Sequence, residues 1–150
     1  VAAELAAAKA AVVLDPLVNL PASFDALGAR LDNAARLQRA GVVVVFSMTG
    51  LAPHFAHKVR QSAGNAVAHG MPWDAALAGL TANPAAVFGL GASRGRIETG
   101  MVADLVLWNG DPLEVTSAAD QVWVGGKPMS MRSRQTELLD RYLPQAARQP

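Results

Sequence analysis

The sequence lacks three features that would each have pointed to a particular class of protein. It contains no cysteine, which excludes disulfide bonds and thiolate metal sites and leaves the redox compartment open. Although 51% of its residues are hydrophobic, no apolar run approaches the roughly 20 residues of a membrane-spanning helix. Its formal net charge is only +1, so it has no field to attract nucleic acid or an anionic membrane. We therefore expect no nucleic-acid partner and no membrane partner.

The first residues of the chain carry no N-terminal start or targeting signal. Val1 lies inside an alanine-rich helical pattern, with no initiator methionine, signal peptide or helix cap before it. We therefore expect a fragment of a longer chain, with any targeting segment upstream. Its 150 residues fit one ordinary domain.

Helical and extended patterns alternate over the first ninety residues. Val12–Asp15 is a short apolar run stopped by Pro16, and Val42–Phe46 is a continuous β-branched run typical of a strand covered on both faces. Helices are predicted from the cap Ser23 to Ala40, over 53–69 and 72–81, and from the cap Asn83 onward. This order predicts parallel strands joined by right-handed helical crossovers.

The pattern changes after Leu90. Glycines become frequent, and short strands are predicted at 95–98, 104–108 and 121–124, followed by a helix from Ser130 to Tyr142 that Pro144 stops. We therefore divide the chain into a segment 1–90, a β segment 91–128, and a C-terminal helix and tail 129–150.

Three motifs resemble the C-terminal signature of the metal-dependent amidohydrolase superfamily. They are T-x-N-P-A at 81–85, G-x-I-x-x-G-x-x-A-D-L-V at 95–106, and V-x-V-x-G-K at 122–127. Residues 19–25 and 29–34 look like the connection between the last two barrel strands of the imidazolonepropionase-like branch. Residues 64–73 look like the final barrel helix of that branch.

The resemblance implies an α/β fold made of the C-terminal two βα units of a TIM-like (β/α)8 barrel plus part of a small β-sandwich. Val12–Asp15 would be strand seven and Val42–Ser47 strand eight. Because two strands cannot close a barrel, their apolar faces would be exposed alone. We expect the missing N-terminal part of the barrel, or another copy of the chain, to cover them.

The resemblance also implies a divalent metal, with zinc expected, in the full-length parent. Its ligands would be a His-x-His on strand one, a Lys or Glu on strand four and histidines on strands five and six, all upstream of Val1. We therefore predict no metal ligand among this chain's own residues. A strand-eight aspartate normally binds the metal and accepts a proton from the attacking water. Thr49 aligns with that aspartate, and threonine is neither an anionic ligand nor a base near neutral pH.

The candidate catalytic residues are Thr49 and Ser47, because barrel active sites lie at the carboxyl ends of the strands. Their hydroxyls either bond substrate or metal-bound water, or satisfy loop backbone. Asp15 is a candidate substrate-binding residue, with a turn-forming role before Pro16 as the alternative.

His54 and His57 are candidate substrate-binding residues in the helix predicted after strand eight. Their spacing of three places them on one face, where imidazoles bind a metal or contact an anionic substrate. No third ligand accompanies them, which makes a metal role the weaker alternative. Elsewhere, Asp104 is predicted to hold a turn or backbone N–H groups, and the three tryptophans to anchor packing.

Three functions are considered for a chain with these residues. The first is that of a fragment of a hydrolase that cleaves amide-type C–N bonds, cyclic amides among them, in a small-molecule substrate, the fragment being inactive alone. The second is that of a non-catalytic amidohydrolase-like domain with a degenerate site used for binding or assembly, as Thr49 suggests. A third reading is an independent oligomeric α/β module.

Overall fold

A computed structural model describes residues 1–17, 23–48 and 53–146, and shows a mixed α/β fold. In chain order its elements are α1 (Ala2–Ala7), β1 (Ala11–Leu14), α2 (Asn33–Arg39), β2 (Val43–Phe46), α3 (Val59–Ala68), α4 (Trp73–Leu80), α5 (Ala82–Val87), β3 (Leu105–Trp108), β4 (Ala119–Val124), β5 (Lys127–Pro128) and α6 (Arg134–Ala146). Two short 3₁₀-helices, Phe24–Ala26 and Pro53–Lys58, precede α2 and α3. None of the described helices is long and apolar enough to cross a membrane.

The first half of the chain is built on a two-stranded parallel sheet. Strands β1 and β2 pair in the register Ala11↔Val43 to Leu14↔Phe46, as the predicted α/β order requires. The main core lies between this sheet and the helices, and its buried residues are Ala34, Ala35, Leu37, Val42, Val44, Phe46, Ala63, Ala66, Met71, Ala76 and Leu113. Five of these eleven are alanines, so the helices can approach the sheet closely.

The predicted covering of β2 on both faces is only partly observed. Val44 and Phe46 are almost fully buried against the helices, whereas Val43 is 42% exposed and Val13 on β1 is 50% exposed. Among the described residues, β1 and β2 pair only with each other. The other face of the sheet and its two outer edges therefore remain partly open.

The second half of the chain forms a three-stranded antiparallel sheet in the order β3–β4–β5. The strands predicted near 104–108 and 121–124 are confirmed. The strand predicted at 95–98 is wrong, because this segment consists of bends and irregular backbone. Gly95 has φ +93°, a left-handed conformation that extended backbone does not adopt.

The single helix predicted from Ser23 to Ala40 is also wrong. The chain forms a 3₁₀-helix, then turns around Gly28, and starts α2 only at Asn33. Phe24 and Leu27, which would lie on one apolar face of that single helix, are 92% and 67% exposed. The Arg30 guanidinium donates two hydrogen bonds to the Asp32 carboxylate, at 2.7 and 3.0 Å, just before α2 begins. Gly41 follows α2 with φ +85°, the left-handed conformation in which a glycine commonly ends a helix.

The last helix lies four residues later than predicted. Ser133 and Thr136 exchange backbone-to-hydroxyl hydrogen bonds of 2.8 and 3.3 Å in the manner of a capping box, which starts α6 at Arg134 rather than Ser130. Helix α6 runs to Ala146, so the prediction that Pro144 stops it is wrong.

Candidate functional site

The carboxyl ends of β1 and β2 bring Asp15 and Ser47 to one edge of the sheet. The register pairs Leu14 with Phe46, so the next residue of each strand lies at the same end. The Ser47 amide donates to the Leu14 carbonyl at 3.0 Å, which extends the parallel ladder by one bond. Ser47 is thus fixed through its backbone, and its side chain is half-buried.

Asp15 forms a turn in this structure. Its Oδ1 accepts a hydrogen bond from the Leu17 amide at 3.0 Å across Pro16, which is the turn-forming role considered for this residue. Its other carboxylate oxygen, Oδ2, accepts no hydrogen bond from the described residues. Substrate binding by Asp15 stays a prediction.

The other predicted site residues are Thr49, His54 and His57, and only the side chain of His57 is among the described residues. Thr49 lies outside the described residues. His54 belongs to the 3₁₀-helix Pro53–Lys58, but its side chain also lies outside them. His57 is exposed in the last turn of the same 3₁₀-helix, one residue before Lys58 and α3. Roles for these residues therefore stay predictions.

The described part of the chain does not provide a complete ligand set for a divalent metal. No three His, Cys, Asp or Glu side chains come together there as a metal-binding group. Catalytic zinc is held by three protein ligands plus water. The described residues therefore do not fit a metal site of their own.

A cavity of about 270 Å³ lies at the opposite end of β2. It is lined by the start of the strand together with side chains that include Gln38, Met71 and Asn83. Because barrel substrates bind at the carboxyl ends of the strands, this cavity is not the predicted substrate site.

The T-x-N-P-A motif ties a helix to a strand. Asn83 was predicted as a helix cap, which is wrong, because α5 starts at Ala82 and Asn83 lies within it. Its Nδ2 instead donates to the Val44 carbonyl on β2 at 2.9 Å. Thr81 donates from Oγ1 to the Leu77 carbonyl at 2.8 Å and so joins the end of α4 to the start of α5.

The A-D-L-V motif stabilises the antiparallel sheet. Asp104 accepts a hydrogen bond from the Gly125 amide at 2.7 Å and pairs with Arg94. The Gly126 amide donates to the Ala103 carbonyl at 2.9 Å beside it. The prediction that Asp104 holds backbone N–H groups is confirmed.

Sequence reasoning missed Arg60, which joins the two halves of the chain. From the first turn of α3, its guanidinium donates to the carbonyls of Pro112, Glu114 and Ser117 at 3.0, 2.5 and 2.9 Å. It also lies over the Trp108 ring, 4.9 Å from the ring centroid. Its partners are 52 to 57 residues away along the chain, so no local pattern reveals them.

Two further contacts hold the loop between β3 and β4 against the helices. Trp73 donates from Nε1 to the Asp111 carboxylate at 2.9 and 3.0 Å, consistent with its predicted anchoring role. Leu113 is only 4% exposed and belongs to the main core. Gly64 on α3 lies against the Leu113 backbone, because a Cβ added there would stand 2.3 Å from the Leu113 carbonyl oxygen. A glycine inside a helix was the one sequence signal of this close approach.

Comparisons with known proteins point to one family. The family model of the amidohydrolase family matches residues 7–129. Amidohydrolase tasK of Hapsidospora irregularis is 47% identical over 58 residues, which is 39% of this chain and 6% of that protein. An amidohydrolase from Thermotoga maritima MSB8 has a TM-score of 0.77 at 29% identity, over 87% of this chain and 34% of its own.

A more distant solved structure shows the same fold. An adenosine deaminase from Xanthomonas campestris with bound zinc has a TM-score of 0.59 at 21% identity, over 97% of this chain and 39% of its own. This chain therefore spans 34% and 39% of the lengths of these two structures.

Proposed function

Because the chain belongs to the amidohydrolase family, we propose that it is the C-terminal portion of a metal-dependent hydrolase that cleaves amide-type C–N bonds. The observation that carries this proposal is the family match over residues 7–129. In this proposal β1 and β2 are the seventh and eighth strands of a (β/α)8 barrel in residues 1–90. Residues 91–128 belong to a β-sandwich, and 129–150 form a C-terminal helix and tail. The remaining barrel strands, or a second copy of the chain, cover the open face that includes Val13 and Val43.

The chemistry assigned to this chain concerns the substrate rather than the metal. When bound, a divalent metal such as zinc supplies an activated water as the nucleophile. Its ligands would come from outside the described residues. The Ser47 hydroxyl, held by the bond between its own amide and Leu14, hydrogen-bonds the substrate. Thr49 lies two residues beyond it, and His54 and His57 contact an acidic group of the substrate from the following segment.

A second candidate function is a non-catalytic amidohydrolase-like domain used for binding or assembly. Thr49 favours it, because threonine occupies the position where the family pattern has an aspartate. In this alternative the fold of an amidohydrolase is retained, while hydrolysis is lost.

The experiment is an assay of the purified full-length protein, loaded with zinc or manganese, against a panel of amides, lactams and dipeptides. The proposal predicts bound metal and hydrolysis of at least one panel member. Ser47→Ala should lower kcat/KM by about tenfold, the equivalent of one lost hydrogen bond. Ser23→Ala is the matched control, because Ser23 is exposed and its side chain makes no cap hydrogen bond.

The outcomes separate the two candidates. A protein that binds no metal and hydrolyses no panel member contradicts the hydrolase proposal. Thr49→Asp then tests the second candidate. A gain of metal and activity in this variant supports a site that has been lost, and no gain counts against Thr49 as the cause.

A further inference from the structure

The loop between β3 and β4, residues 109–118, is held on the helices by an unusual contact. One guanidinium, that of Arg60, binds three backbone carbonyls of this loop and covers the Trp108 ring at its base. Hydrogen bonds from a charged donor are about twice as strong as those between neutral groups. Arg60 is therefore the strongest polar connection that we find, among the described residues, between this loop and α3.

The other end of this connection is close along the chain to a predicted substrate-binding residue, His57. Arg60 is the second residue of α3, and the 3₁₀-helix Pro53–Lys58 runs directly into α3 with no residue between them. His57 therefore stands three residues before Arg60 along a continuous helical segment. This segment follows the carboxyl end of β2, where Ser47 is fixed. A shift in the first turn of α3 would thus be passed to His57 through the backbone.

We propose that Arg60 is a positioning residue, which sets the place of the His57 segment relative to the carboxyl ends of β1 and β2 by fixing loop 109–118 on α3. The inference rests on the proposed function, because it assigns a substrate contact to His57. Arg60 itself touches carbonyls and an aromatic ring, and it acts on the site only through the segment that it holds. The antiparallel sheet, far along the chain, thereby supports the substrate end of the parallel one.

The perturbing variant is Arg60→Met, which keeps an unbranched apolar stem and removes all three carbonyl contacts. Trp73→Phe is the matched control, because it removes the hydrogen bond from α4 to Asp111 in the same loop and leaves Arg60 in place. Both variants should loosen loop 109–118. Only Arg60→Met should also loosen residues 53–58.

The first measurement is hydrogen exchange, followed by mass spectrometry, on the full-length protein. Arg60→Met should raise exchange in residues 53–58 by about tenfold or more, whereas peptides from β2 should change little. Trp73→Phe should leave 53–58 as in the wild type. Unchanged exchange of 53–58 in Arg60→Met overturns the proposal, and so does an equal rise over the whole chain, which indicates only a general loss of stability.

The second measurement separates positioning from stability by kinetics. Arg60→Met should raise KM by about tenfold with a smaller change in kcat, and in a His57→Gln background it should raise KM little further, because the two residues act through one contact. Fully additive effects on KM overturn the proposal. If the wild type hydrolyses no panel member, the proposed function fails, and hydrogen exchange alone decides whether Arg60 positions the segment.

Discussion

The contact between Gly64 and Leu113 gives the sharpest prediction of stability. In Gly64→Ala the new Cβ would stand 2.3 Å from the Leu113 carbonyl oxygen and 3.3 Å from its carbonyl carbon. Ordinary contacts begin near 3.4 Å, so the loop or α3 must move by about 1 Å. The obstacle is backbone rather than the end of a flexible side chain, so it cannot simply rotate away.

The magnitude follows from opposing effects. Alanine is favoured over glycine inside a helix by about 1 kcal/mol, which would stabilise the variant if there were no obstacle. Overpacking costs about 1–3 kcal/mol, and displacement of Leu113 also weakens the neighbouring carbonyl contacts of Arg60. These contacts join a charged donor to carbonyls that are partly buried at Pro112 and Ser117 and exposed at Glu114, and hydrogen bonds to charged groups are worth about 1.5–3 kcal/mol each at most. We therefore expect Gly64→Ala to lower the free energy of unfolding by about 1–3 kcal/mol.

The assay is chemical denaturation followed by tryptophan fluorescence, to which Trp108 and Trp73 beside the loop contribute. Gly28→Ala is the control, because a Cβ there meets nothing within 4 Å. It should leave the unfolding midpoint unchanged or raise it slightly. A Gly64→Ala protein as stable as the wild type, or more stable, would refute the close approach of α3 and loop 109–118.

Three further predictions concern single side chains. Asn83→Ala should lower the free energy of unfolding by about 1–3 kcal/mol by leaving the Val44 carbonyl without this donor; an unchanged thermal midpoint would contradict the tie between α5 and β2. Ser62→Ala should be neutral or stabilising by about 1 kcal/mol, because the Ser62 hydroxyl is fully buried without a hydrogen-bond partner among the described residues; a clear loss of stability on denaturation would reveal a partner outside them. The hydrogen bond from Arg30 holds the pKa of the Asp32 carboxyl below its ordinary value. Any stability that this pair contributes is therefore fully present above about pH 4, the pKa of an unperturbed Asp. It is lost as the pH falls through the lowered pKa of the folded protein. In Arg30→Gln an NMR titration should find the Asp32 pKa raised, and an unchanged pKa would count against the pairing.

Local patterns predicted the elements whose cause is local. The β-branched run Val42–Phe46 forms a strand because its side chains suit a pleated, buried surface, and Gly41 ends a helix because glycine accepts positive φ at little cost. Parallel pairing of the two strands was enough to predict that Asp15 and Ser47 lie at the same end of the sheet. The first two of these inferences needed only residues a few positions apart, and the third needed only the order of the strands.

The environments of Asn83 and Arg60 are set by distant parts of the chain, whereas the helix predicted over Phe24 and Leu27 fails for a local reason. The sequence around Asn83 is typical of a helix cap, but the Asn83 side chain instead donates a hydrogen bond to the Val44 carbonyl, 39 residues away. Phe24 and Leu27 fit the apolar face of one long helix, which the turns around Gly28 interrupt. Arg60 looked like any exposed helix residue, because its carbonyl partners belong to a loop 52 to 57 residues later.

The proposed function of the chain is that of part of a hydrolase acting on amide-type C–N bonds. Its most direct test is the rate of hydrolysis of the amide and lactam panel by the purified, zinc-loaded full-length protein, with Ser47→Ala and Ser23→Ala assayed beside it. We expect turnover of at least one substrate, which falls about tenfold in Ser47→Ala and is unchanged in Ser23→Ala. No turnover by a well-folded, metal-loaded protein would contradict the proposed function, and equal turnover in both variants would contradict the role of Ser47.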